Sequence, residues 1–163
     1  MTTINESAVQ TAVAVFIRTL TEFADADVVI NDYSILDGSI DKFPVVIVTT
    51  ADNFRATPAT GGERNDFFEV PVVLYEKFII GKDAAGKGWQ KSLDNLRDRR
   101  QAIVDKVFTG SNSSIGTAGL KVNEVRNEGP IDSLYNPKLN EVQLKDAMPI
   151  MLSQTIIISL ESF

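Results

Sequence analysis

The stretch "DFFEVPVVLYEKFII", residues 66–80, constrains the fold of this chain more than any other. Phe68, Val70, Val72, Leu74, Phe78 and Ile80 occupy alternate positions, and a period of two belongs to a strand rather than a helix. The run predicts one long strand whose apolar face is broken only by Glu76. Its other face mixes Glu69, Pro71, Tyr75 and Lys77 with Phe67, Val73 and Ile79. At ~3.3 Å per residue such a strand reaches well beyond one helix of a small domain. A second strong alternation closes the sequence. In "AMPIMLSQTIIISLESF", Met148, Ile150, Leu152, Ile156, Ile158 and Leu160 face a core, while Ser153, Thr155, Ser159 and Glu161 point away.

Two shorter strands are predicted at "DVVIND" (27–32) and "FPVVIVTT" (43–50). The second is apolar on both faces, which suits a central strand, and Pro44 stands at its beginning, where a missing N–H does no harm. "SILDGSIDK" between them carries an Asp-Gly turn signal. The polar stretch "ADNFRATPATGGERND" (51–66) lies between strong strands and predicts the mobile tip of a long hairpin.

Residues 3–24 predict an amphipathic helix, with Val9, Val13, Phe16, Ile17, Leu20 and Phe23 on one face and Thr3 and Glu6 at capping-box spacing. Residues 89–108 predict a second, with a stripe of Trp89, Leu93, Leu96, Ile103, Val104 and Val107, ended by Gly110. Its other face carries Lys91, Arg97, Arg99 and Arg100, the pattern of a solvated helix face or of a basic patch that meets an acidic surface. Residues 110–119 read as a flexible linker, and 120–150 as a short strand, a Pro-containing connection and a loop. Strand following strand argues for antiparallel hairpins. The expected fold is α+β, one domain over 1–163: a mainly antiparallel sheet, two helices packed on it, and a long projecting β-hairpin.

Chemistry is narrowed by what the chain lacks. It has no Cys and no His, which excludes disulfides, Cys- or His-based zinc sites, and nucleophile systems that need a His base. The formal net charge of −6 argues against tight nonspecific binding to nucleic acid, which depends on neutralising phosphates. The first 20 residues lack the pattern of a secretory signal, and no run approaches the ~20 apolar residues of a membrane span. A soluble chain made in a cytoplasm is expected.

One stretch invites an enzymatic reading. "FIIGKDAAGKGW" (78–89) places four residues between Gly81 and the pair Gly86-Lys87, close to a phosphate-binding loop. The position that should supply a magnesium-binding hydroxyl is Gly88, and the strand order does not suit a wound parallel sheet. The Gly81–Gly88 segment is therefore expected to be a strand-to-helix connection, with a nucleotide-binding enzyme as the lesser alternative. Asp25, Asp27 and Asp32 surround a helix-to-strand turn without a spaced ligand set, so no metal is assigned. No catalytic residue and no cofactor are expected.

The layout resembles the tail terminator (tail completion) proteins of long-tailed bacteriophages and the related head–tail neck proteins. The segments that carry the likeness are "FEVPVVLYEKF", "WQKSLDNLRDRRQAIVDKVF" and "MPIMLSQTIIISLES". The resemblance implies a virion protein, assembled in the host cytoplasm, that forms a hexameric ring. The ring would cap the tail tube, end tail growth and join the tail to the head-side connector, with DNA only passing through its channel. Composition adds candidate contacts: Phe54, Arg55 and Arg64 at the hairpin tip, for a neighbour or the tail tube, and Arg97, Arg99 and Arg100 for ion pairs between subunits. A plain adaptor that pairs a sheet edge with a partner strand is the competing non-enzymatic reading.

Overall fold

Alternating apolar residues build a mixed sheet in the computed structural model, which describes residues 4–31, 44–78, 88–108, 115, 119–134, 140–144 and 151–162. Its strands among the described residues are β1 (Asp27–Ile30), β2 (Val45–Val48), β3 (Asp52–Pro58), β4 (Arg64–Lys77), β5 (Leu120–Leu134) and β6 (Met151–Ser162). The order is β1-β2-β4-β6-β5, with β3 also pairing β4. The helices are α1 (Glu6–Arg18), α2 (Gly88–Phe108) and the single turn α3 (Glu141–Leu144). The α+β reading holds.

The face of β4 carrying Phe68, Val70, Val72 and Leu74 joins Ile156, Ile158 and Leu160 of β6 in the main core. Val9, Val13 and Ile17 of α1 and Leu96, Ile103 and Val107 of α2 enter the same cluster, so both helices cover one face of the sheet. β2 is buried at all its residues, as a strand between two neighbours should be. Its other face, Val45 and Ile47, packs with Val73 and Tyr75.

The predicted helix over 3–24 is shorter. Asn5, not Thr3, caps α1, its Oδ1 accepting from the Ala8 N–H at 2.8 Å; Thr3 lies outside the described residues. The helix stops at Arg18 because the backbone turns extended at Leu20, and a 3₁₀ turn over Thr21–Phe23 then keeps Leu20 and Phe23 buried. The apolar period continued past the helix because the same core continues past it.

Three further expectations change. The polar stretch 51–66 is mostly ordered strand: β3 pairs β4 from Asp52↔Glu69 to Pro58↔Arg64. Backbone hydrogen bonds hold this edge without any apolar period. The hairpin is present, but β6 grips β4 from Phe67 to Lys77, so only its outer end projects past the sheet. Residues 120–134 are one long strand rather than a short strand and a loop. β5 stays paired with β6 through two register shifts, and an edge strand tolerates Pro130 and the positive φ of Gly129. Finally, β1 and β2 pair in parallel, although strand-after-strand order suggested antiparallel hairpins; the segment joining them lies mostly outside the described residues, including the Asp-Gly turn.

β2 and β3 are one chain run interrupted opposite Pro71, which has no N–H to offer a partner. The Pro71 carbonyl accepts there from the Thr49 N–H (3.0 Å) and hydroxyl (2.8 Å). The buried Gln10 amide donates to the carbonyls of Val48 and Thr49 at 3.2 and 2.9 Å, tying α1 to the same interruption. The hairpin tip is closed by Ala59 N–H to Glu63 O at 2.9 Å, with Gly61 and Gly62 at φ +85° and +82°. A Cβ added at Gly62 meets nothing within 4 Å, so Gly62→Ala isolates the backbone cost. The expected loss is about 1–2 kcal/mol in a urea titration, with Gly62→Asn costing less.

Candidate interaction surface

The hairpin owes its chemistry to a β-bulge. Asn53 pairs Phe68 and Arg55 pairs Phe67, leaving Phe54 as the extra residue. Strict alternation would send Phe54 and Arg55 to opposite faces; the bulge lets both side chains meet Phe67. The Phe54 and Phe67 ring centroids are 6.4 Å apart and tilted by 55°. The Arg55 guanidinium carbon lies 4.0 Å above the Phe67 ring, a cation–π contact. Since Phe68 points into the helical core, this cluster lies on the sheet face away from the helices. Phe54 is 53% exposed.

Arg55 differs from the other described arginines. Arg18 donates to Val28 O, Arg64 pairs with Asp66, Arg97 with Asp94, Arg99 with Glu76 and Arg126 with Glu69, and Arg100 donates to Gln154. Among the described residues, none accepts from the Arg55 guanidinium and no carboxylate lies within ion-pair distance of it. Arg64, predicted as a tip contact, serves the hairpin itself. Its Nε bonds Asp66 Oδ2 at 3.2 Å and stands 3.0 Å from Oδ1, the counter-charge for a carboxylate buried at the hairpin base. The Asp66 N–H donates to Ser162 Oγ at 2.8 Å.

Beside the aromatic cluster, polar side chains lock three strands together. Arg126 of β5 donates to Glu69 of β4 at 2.9 Å and to Ser159 of β6 at 3.3 Å, and also pairs with Glu124. Glu161 of β6 accepts from Asn65 and Asn123, each at 3.2 Å.

The arginines of α2, expected together on a solvated or intersubunit face, divide. Arg97 is exposed and meets Asp94 one turn back. Arg99 turns onto the sheet, forming an ion pair with Glu76 and donating through Nε to Glu22 O at 3.2 Å. Arg100 donates to Gln154 Oε1 at 2.8 Å. Glu76 and Gln154 both sit on the otherwise apolar face of the sheet, so Arg99 and Arg100 form a polar seam under α2. Burial pushes the Glu76 carboxyl above its ordinary pKa, opposed by the Arg99 charge and by hydrogen bonds from Arg99 and Asn95. The signal in the sequence was Glu76 itself: a carboxylate on an apolar strand face requires a counter-charge from whatever packs there.

The predicted connection at Gly81–Gly88 lies outside the described residues except for Gly88, which opens α2. Asp25 and Asp27 are exposed at the turn into β1, and Asp32 lies outside the described residues. An open cleft of ≈240 Å³ between the end of α1 and α2 is lined by Thr19, Glu22, Asp105 and Lys106 among others. Among the described residues, no group of three or more acidic side chains is placed to hold a metal, and no helix is long and apolar enough to cross a membrane. No protein-family model matches the sequence, and no curated protein does.

Proposed function

We propose that this chain is a structural ring protein of a long-tailed phage: a tail terminator that assembles as a hexamer on the end of the tail tube, stops its growth and presents its other face to the head-side connector. A head–tail neck protein is a variant of the same reading. The observation that carries it is the β3–β4 hairpin, anchored in the sheet centre by β4, with a bulge that presents Phe54 and Arg55 outward. Exposed aromatic and arginine side chains on a rigid support are the composition of protein–protein hot spots. The α+β layer of two helices on one sheet face leaves that hairpin free for a neighbour or for the tube.

Native mass spectrometry of the full chain, followed by sedimentation with purified tail tubes of the cognate phage, tests the reading. The expected result is a sixfold species, alone or on the tube end, and shorter tubes when the protein is present during tube polymerisation. A chain that stays monomeric and neither binds nor shortens tubes overturns it.

A further inference from the structure

The arginine left without an acceptor points to what the hairpin meets. The Arg55 guanidinium carbon lies 4.0 Å over the Phe67 ring beside exposed Phe54, its N–H fork unused among the described residues. A planar fork held on an aromatic ring is preorganised for a carboxylate, which it can take through two parallel hydrogen bonds. The chain offers such groups in excess, with 22 acidic against 16 basic residues. Of the described acids on the strands, Asp66, Glu69, Glu76 and Glu124 are engaged by arginine and Glu161 by two asparagines, whereas Asp52, Glu128 and Asp132 are exposed with no described cation within ion-pair distance. The turn leading into β1 gathers three such carboxylates in a short span of chain. Glu22, Asp25 and Asp27 are exposed within six residues, and none of the described cations lies within ion-pair distance of their carboxylates.

These two features sit at opposite ends of the sheet. Asp27 pairs Val45, which pairs Tyr75 of β4, whereas Arg55 pairs Phe67. Phe67 and Tyr75 are separated along β4 by roughly 26 Å at ~3.3 Å per residue. One copy therefore cannot satisfy its own arginine with its own turn. We propose that Phe54 and Arg55 of one copy seat on the Glu22–Asp27 turn of the next, Arg55 binding a carboxylate and Phe54 covering it from water. Because the two surfaces differ, the contact is head-to-tail and closes into a ring when the rotation allows. The inference rests on the ring reading and assigns its intersubunit contact.

Sedimentation velocity on the full chain tests it, with circular dichroism to confirm that each variant is folded. Phe54→Ala, Arg55→Glu and the pair Asp25→Lys/Asp27→Lys are each expected to weaken self-association about tenfold or more. An equimolar mixture of the Arg55→Glu and Asp25→Lys/Asp27→Lys chains is expected to reassemble, since alternating copies meet through one original and one reversed charge pair. Wild-type rings that form equally well in every variant overturn this contact while leaving the ring reading intact. A wild-type chain that stays monomeric alone but forms rings on tail tubes, with the charge variants binding tubes equally well, also overturns it. A chain that neither self-associates nor binds tubes overturns both.

Discussion

Replacing Phe68 with alanine is expected to lower the unfolding free energy by about 3–5 kcal/mol. Phe68 is 0% exposed and is among the largest fully buried side chains. It stands on β4 where β3 and β6 flank it, paired to Asn53 on one side and Leu160 on the other. Backbone hydrogen bonds on both sides hold that position in place, so the strand cannot move inward to fill the space a missing ring leaves. The loss therefore combines the transfer of the ring to water with the cost of an unrelaxed cavity. A urea titration should show a lower midpoint with an unchanged slope, the sign of lost stability rather than an altered denatured state. Phe54→Ala provides the contrast. It removes a side chain of the same kind, one strand away but half in water, and should leave the midpoint nearly unchanged while affecting association. A drop below about 1 kcal/mol for Phe68→Ala would mean that the core collapses into the gap, contrary to a rigidly paired β4.

Arg99→Ala is expected to be as damaging, by a different route. Arg99 and Glu76 have side chains only 17% and 9% exposed. Removing the arginine leaves a buried carboxylate without its counter-charge, a change that costs about 3–5 kcal/mol in comparable pairs. The pH dependence identifies the cause. Glu76 already has a raised pKa in the folded protein because burial outweighs Arg99. A carboxyl whose folded pKa exceeds its unfolded value binds more protons folded than unfolded, so stability falls as pH rises from the unfolded pKa through the folded one. Without Arg99 the folded pKa moves higher still, the window widens upward, and the damage grows with pH. The Arg99→Ala penalty should thus be larger at pH 7.5 than at pH 4.5. Adding Glu76→Gln to Arg99→Ala should recover much of the loss at neutral pH and flatten the profile. A penalty that does not change with pH would show that Arg99 acts through packing of its stem alone.

Side-chain periodicity told most about β4, β6, β2 and the buried stripes of both helices. In β4, β6 and the helices every second or every third-to-fourth residue meets the core, and in β2 every residue is buried, so burial leaves a readable pattern in a short window. Glu76 was visible too, as the one residue out of step, although its partner was not. Arg99 sits in a helix whose exposed side is also charged, and only the packing of α2 on the sheet distinguishes Arg99 and Arg100, which turn inward, from Arg97, which does not. β3 and the outer part of β5 left no such rhythm. They are edge strands held by N–H and C=O groups that nearly every residue possesses, so "ADNFRATP" and "NEGPIDSL" look like loops until a paired neighbour is present. The bulge at Phe54 belongs to the same class, because it exists only as a mismatch between two strands. By itself, then, the sequence determined which faces are apolar and that consecutive strands and two helices share one core. The tertiary structure decided which polar segments join the sheet and where the bulge turns Phe54 and Arg55 together, because backbone pairing depends on neighbours distant along the chain rather than on the identity of the residues paired.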